Sequence, residues 1–361
     1  MTKSGRENSG SAGSRGAPVR GTAVSQAGEF GLIERIRSLF PEPPSDVVRG
    51  IGDDVAVLRM PPGDLLLATC DCQIEGVHFL RHHILPRDLG RRAAAINLSD
   101  MAAMGGDPLW AVVSLMLPGD LPVDYVEDLY RGMGDALGEW GAFVVGGNTA
   151  RHPDRLVVDV TLLGRAAPDR LITRDGARPG DVLMVTGTLG GSRAGLEWIL
   201  SKVPSADEAV RDRAVRRHRT PRARVAEGKA LAATGRVRAM LDVSDGLLGD
   251  LAHLCRAGRV GAVVEAAAVP VDPCCRETAR AKGRDPLDWA LRGGEDYELL
   301  FAVDPDGVEH VIRTLRGVSD VPCSVIGRIV SEKEGIQVVY PDGSRRNAAS
   351  EGGWDHFGPR P

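Results

Sequence analysis

Met240-Leu241-Asp242-Val243-Ser244-Asp245-Gly246-Leu247-Leu248-Gly249-Asp250-Leu251 passes from a short apolar strand, through an acid-bearing turn, into a helix. The helix is expected from Leu247 to Cys255, and Val260–Ala266 supplies the next strand, so the unit reads β-turn-α-β. The same grammar recurs on both sides. Upstream lie strands at 55–58, 65–68, 111–117, 142–145 and 156–163, and helices at 86–104 and 123–140. The strand Val182–Thr186 leads through Gly187-Thr188-Leu189-Gly190-Gly191 into a helix over 192–200. Thr220-Pro221 predicts a helix start, cap then proline, with Gly235 as its stop. Leu299–Val303 is a further strand. The polar, turn-rich run Asp175–Asp181 separates two halves. The fold class expected is mixed α/β in two domains, 28–170 and 171–361, behind a disordered Gly/Ser/Arg tail over 1–27.

Composition narrows the function classes. In 361 residues, 45 Lys plus Arg stand against 49 Asp plus Glu, a net charge of −4, which does not favour nucleic acid or an anionic membrane as partner. No apolar run approaches the ~18 residues of a spanning helix. The six cysteines have neither zinc-knuckle nor secretory spacing, so reduced thiols in a cytoplasmic protein are expected. Phosphate-loop, protein-kinase and dinucleotide signatures are missing, and the 187–191 loop alone is a weak phosphate signal.

The chemistry is carried by acids at turns and element ends: Asp53 and Asp54 in Gly-Ile-Gly-Asp-Asp, Asp71, Asp100 in Asn-Leu-Ser-Asp, Asp242 and Asp245, and Glu295-Asp296 in Gly-Gly-Glu-Asp-Tyr-Glu-Leu. Singly, each suits a solvated turn or a helix cap. Together they sit where strand-to-helix turns offer free N–H groups, a natural phosphate seat that carboxylates would spoil. At about 4 Å and an effective dielectric near 20, one like-charge pair costs about 4 kcal/mol. Mg²⁺ between the acids and a nucleotide removes the conflict, because hard cations share carboxylate and phosphate oxygens.

Five stretches in this order resemble the thiamine-monophosphate kinases of the aminoimidazole-ribonucleotide-synthetase-like superfamily: Gly-Ile-Gly-Asp-Asp, Asp71–Phe79, Asn97–Gly106, Asp242–Leu247 and Gly293–Leu299. The resemblance runs from Gly28 to Phe357. It implies ATP- and Mg²⁺-dependent phosphorylation of thiamine monophosphate to the diphosphate, with no covalent enzyme intermediate. It further implies a homodimer in which the N-terminal sheets pair. By it, Asp53, Asp54, Thr69, Cys70, Asp71, Asp100, Asn148, Asp242 and Asp245 lie at the metal positions. Tyr130, Gly147, Asn148, Arg174 and Ser244 surround ATP, with Arg174 a partner for transferred charge. His78, Glu295 and Trp354 face the thiamine phosphate. Tyr130 shares a helix with Leu129 and Met133, which suits a core side chain as well as an adenine platform, and His78 suits a plain hydrogen-bonded histidine beside Phe79. Two positions depart from the family: Asn148 stands for the usual Asp and Cys70 for the usual Thr, which weakens one metal position. The rival readings are another ATP-dependent enzyme of the superfamily and a non-catalytic nucleotide-binding relative.

Overall fold

The computed structural model describes residues 22–51, 56–201, 203 and 207–348. The first half contains α1 (Val24–Ser38), β1 (Val47–Arg49), β2 (Val57–Leu58), β3 (Leu65–Ile74), α2 (Pro86–Ala103), β4 (Asp107–Leu117), α3 (Val123–Gly138), β5 (Phe143–Arg151) and β6 (Val157–Ala166). α1 starts at Val24, and the N–H groups of Val24 and Ser25 donate to the Leu121 and Gly119 carbonyls, each at 2.9 Å. These bonds tie the start of α1 to the loop before α3, a partner that local composition does not reveal.

The four-stranded sheet runs β3-β6-β4-β5, with β4 and β5 parallel and the other pairs antiparallel. Alternation along β4 and β6 turns Ala111, Val113, Leu115, Val158, Val160 and Leu162 to one side, where Leu98, Met101, Leu129 and Met133 of α2 and α3 cover them. The two helices touch backbone to backbone. A Cβ on Gly90 would collide with the Leu129 carbonyl, and one on Gly132 with the Arg87 carbonyl. β5 extends to Arg151, beyond the strand 142–145 read from the sequence, so Gly147 and Asn148 are strand residues paired with Val113 and Ser114.

The second half contains β7 (Val182–Thr186), α4 (Gly191–Leu200), α5 (Glu208–Arg219), α6 (Val225–Ala233), β8 (Val237–Asp242), α7 (Leu247–Gly258), β9 (Val260–Glu265), α8 (Pro273–Ala281), α9 (Pro286–Arg292), β10 (Leu299–Val303), α10 (Val308–Arg316), β11 (Cys323–Ser331), β12 (Ile336–Val339) and β13 (Arg345–Asn347). Its sheet runs β13-β12-β9-β11-β7-β10-β8. The helix expected to start at Thr220-Pro221 starts at Val225 instead, because Thr220 closes α5 and the Arg224 side chain is drawn away to Glu298. The outcome is two mixed α/β halves. α2 packs between them, touching β3 on one side and β8 and α6 on the other.

Gly132→Ala should therefore cost about 3 kcal/mol or more in urea-unfolding stability, because the crowding atom is backbone and cannot turn aside. Gly138→Ala, on the same helix with open space at its Cβ, should be neutral or slightly stabilising.

Candidate functional site

Thr69 and Asp71 share the face of β3 that looks at α2. The Asp71 N–H donates to Asn97 Oδ1 at 3.2 Å, and Thr69 Oγ1 donates to Asp100 Oδ2. From the next positions of the helix, Ser99 Oγ donates to Asp242 Oδ2 at 2.6 Å, at the end of β8. α2 thus draws three acids from three distant stretches of chain around its C-terminal half. Burial, with the Asp100 charge next, raises Asp71 to about 6. Burial and Asp100 raise Asp242 to about 7, against the pull of Ser99 and the Arg174 guanidinium. The charges of Asp159 and Asp245 also act on Asp71.

The two turns expected to seat phosphate are already filled. Asp250 Oδ2, in the first turn of α7, accepts from the N–H groups of Ser244 and Asp245, each at 3.0 Å. Burial and the charges of Asp242 and Asp245 push its carboxyl up to about 8. Asp296 accepts from the N–H of Gly190 at 2.6 Å and of Ser192 at 3.1 Å, occupying the N-terminus of α4. The Gly187–Gly191 loop is therefore a docking point for the chain's own carboxylate. Buried N–H groups must find an acceptor, and both acceptors were present in the motifs as Asp250 and Asp296.

Cys70 points the other way. Its thiol donates to Asp159 Oδ1 at 3.3 Å and accepts from Thr161 Oγ1 at 3.4 Å. Strand alternation puts its side chain on the face opposite Thr69 and Asp71, which corrects its place as a side-chain ligand of the acid set. Asn148 lies on that same open face, exposed, in the row Cys72, Asp159, Ser114, Asn148 across the sheet. Asp159 is an acid the motifs did not single out. Its signal was a carboxylate within the apolar run Val157-Val158-Asp159-Val160.

The Gly293–Glu298 loop forms the third side. The Glu295 N–H donates to the Ser244 carbonyl at 2.7 Å, which stacks this loop on the Asp242–Asp245 turn. Glu295 and Tyr297 have φ of 65° and 53°, left-handed backbone held by its surroundings. Glu295 Oε1 pairs with Arg92, and Oε2 lies 3.2 Å from His218 Nδ1. Burial opposes its charge, but Arg92, His218 and His78 together hold the carboxyl down at about 2. His78 Nδ1 accepts from the Ile74 N–H at 3.0 Å, which fixes the ring at the end of β3. Arg174 is exposed and close enough for its charge to act on Asp242.

Tyr130 departs from the expectation of an ATP contact. It is 3% exposed, edge-on to Phe40 with ring centroids 6.4 Å apart, and burial pushes its hydroxyl above the usual range. No nucleotide can stack on it without opening the core. Asp53, Asp54 and Trp354 lie outside the described residues.

Among the described residues, no three His, Cys, Asp or Glu side chains converge into a cage for an ion. The donor set nonetheless fits Mg²⁺, which is held by one or two carboxylates plus substrate phosphates rather than by an all-protein cage. Asp71 and Asp242, raised by each other's neighbourhood, are the carboxylates that gain most from a cation. No described helix is long and apolar enough to cross a membrane.

Comparison with known proteins accords with this arrangement. Residues 52–166 match the N-terminal domain of AIR synthase related proteins and residues 178–339 match the C-terminal domain, so the chain is a member of the AIR synthase related family. The thiamine-monophosphate kinase of Escherichia coli strain K12 is 36% identical over 330 residues, 91% of this chain and 98% of that one. The crystal structure of the thiamine-monophosphate kinase from Stenotrophomonas maltophilia K279a superposes with a TM-score of 0.76 at 36% identity, covering 88% of this chain and 97% of that one. A structure of AaThiL complexed with AMPPCP and TMP gives 0.71 at 35% identity, covering 94% and 100%. Within its family, the chain belongs to the thiamine-monophosphate kinases.

Two stability effects follow from the site's ion pairs. Arg224 binds the wholly buried Glu298 through two bonds of 2.6 Å. Arg224→Met should destabilise by about 3–5 kcal/mol in denaturant unfolding, since it strands a buried carboxylate. Glu295, held well below its unfolded range, contributes stability that is fully present above about pH 4.3 and fades as pH falls towards 2. The gap in unfolding free energy between the wild type and Glu295→Gln should be flat from pH 5 to 8 and shrink by about 2–3 kcal/mol on acidification.

Proposed function

We propose that this protein transfers the γ-phosphoryl group of ATP to thiamine monophosphate, giving ADP and thiamine diphosphate. The observation that carries the reading is the meeting of Asp71, Asp100 and Asp242 around α2, beside a Glu295 kept ionised. Thr69, Asp71, Asp100, Asp242 and Asp245, with Asp53 and Asp54, would hold Mg²⁺, and Asn148 would serve a separate Mg²⁺ position on the open face of the sheet that it shares with Asp159. Gly147, Asn148, Arg174 and Ser244 would meet ATP, and His78, Glu295 and Trp354 the thiamine phosphate. The cations would supply positive charge to the transferring phosphoryl group and relieve repulsion between the two polyanions.

The acceptor is a phosphate oxygen already ionised at neutral pH, so its attack on the γ-phosphorus needs no strong general base; ADP leaves from the opposite side. What the side chains contribute is alignment and charge. Arg174 lies beside Asp242 with its cation available to charge that develops on the phosphoryl oxygens. An ionised carboxylate at Glu295 suits a substrate whose thiazolium ring is permanently cationic. We also place the domain boundary between residues 170 and 171, just ahead of the Asp175–Asp181 run, the protein in the cytoplasm, and the working unit as a homodimer formed through the N-terminal sheet.

ADP release with ATP, Mg²⁺ and thiamine monophosphate, with chromatographic detection of thiamine diphosphate, tests the reading. Product should appear from the monophosphate and not from thiamine; absence of product with ATP still bound would sink it. Asp71→Asn or Asp242→Asn should lower kcat about 10²-fold or more, as expected for loss of transition-state charge stabilisation. Asn148→Asp should lower the Mg²⁺ concentration giving half-maximal rate, by adding charge to the donor set.

A further inference from the structure

Arg92 is 1% exposed, the most deeply buried arginine among the described residues, and it lies on the flank of α2 next to the acid set. Every arm of its guanidinium is used. Nε donates to Gln73 Oε1 of β3 at 2.7 Å, Nη1 donates to the His218 carbonyl, and Nη2 donates to Glu295 Oε1. Gln73 is itself buried. The fork is therefore locked from β3 and from the end of α5 before it meets Glu295. Arg92 belongs to the part of the chain that matches the N-terminal family domain, while His218 and Glu295 belong to the part that matches the C-terminal one.

The other carboxylate oxygen is handled in the same way. His218 is buried, and its Nδ1 lies 2.9 Å from Ser192 Oγ of α4 and 3.2 Å from Glu295 Oε2. Glu295 sits in left-handed backbone, with its N–H held by Ser244. Its side chain keeps 28% exposure, so part of the carboxylate stays accessible. A planar, bidentate-capable fork fixes direction as well as charge, which an ammonium on a flexible stem does not.

We infer that Arg92 and His218 are positioning residues for the substrate site: they clamp one oxygen each of Glu295, so that its free edge is presented to the cationic acceptor only when the two halves of the chain are closed on each other. The inference rests on the proposed kinase reaction and adds to it two residues that no motif pointed to. It makes recognition of the acceptor depend on Arg92 and His218, neither of which is among the residues proposed to meet ATP. Loss of the clamp is loss of uniform binding to the acceptor, which raises its KM and leaves kcat nearly intact.

The test is steady-state kinetics on the full chain, varying thiamine monophosphate and ATP separately. Arg92→Met should raise KM for thiamine monophosphate tenfold or more, with KM for ATP and kcat within about twofold. Arg92→Lys, which restores charge without the fork, should recover part of that loss. His218→Asn leaves the Arg92 pair in place and should raise the same KM about threefold. In double-mutant cycles, Arg92→Met and His218→Asn should add nothing to Glu295→Gln. Effects that multiply with Glu295→Gln, or that raise the KM values for ATP and thiamine monophosphate alike in either arm, overturn the inference. A wild type inactive on thiamine monophosphate overturns the kinase reading and this inference with it; an active wild type with uncoupled variants overturns this inference alone.

Discussion

The loop Gly293–Glu298 is the constraint on which the rest of the site depends. Three of its side chains are acids, and each is answered by a different element. Glu295 meets Arg92 of α2, Asp296 fills the N–H groups that open α4, and Glu298 is gripped by Arg224 ahead of α6 and by Thr186 Oγ1 of β7 at 2.8 Å. Its backbone is tied as well, Tyr297 N–H to the Val243 carbonyl at 2.9 Å and Val243 N–H to the Glu298 carbonyl at 2.7 Å. A segment held by side chains from so many directions can sustain two non-glycine residues in the left-handed region.

That rigidity serves an electrostatic purpose. Asp71, Asp100, Asp242 and Asp245 repel one another, and left to solvent they would spread apart. They are kept together by the neutral donors Thr69 and Ser99, by Asn97, which accepts the Asp71 N–H, and by burial against α2, none of which cancels their charge. The molecule thus stores unfavourable charge where cations and phosphates can relieve it. At Glu295 the opposite strategy holds: Arg92, His218 and His78 answer its charge against the cost of burial, and it stays ionised. Carboxylates brought together from distant stretches of the chain are tuned in opposite directions by what packs on them.

Much of this was legible in the chain. Val182–Thr186 is a strand at the residues expected, and α2, α3 and α7 lie where the apolar periodicity put them, because these elements are decided by neighbours three and four residues away. Both the Asp242–Asp245 turn and the Gly293–Glu298 loop stand at the site. Other features could not be read locally. α5 is too polar and arginine-rich to announce a buried face, yet Val210, Ala214 and His218 are buried on it. Tyr130 looked equally suited to a core or a ligand, and the packing of Phe40 decided for the core. Strand alternation puts Cys70 on the face opposite its neighbours Thr69 and Asp71, but only pairing with β6 decides that Thr69 and Asp71, beside Leu162 and Val160, take the side covered by α2.

The sequence by itself determined the element grammar, the acid-bearing motifs and the class of chemistry they suit, since periodicity and turn chemistry are properties of adjacent residues. Only the tertiary structure decided which acids face one another, which N–H groups are already filled by Asp250 and Asp296, and that Arg92 reaches Glu295 203 positions away. Those outcomes follow from a requirement with no local signature: every buried charge and every buried N–H must find its partner in space, wherever the chain happens to carry it.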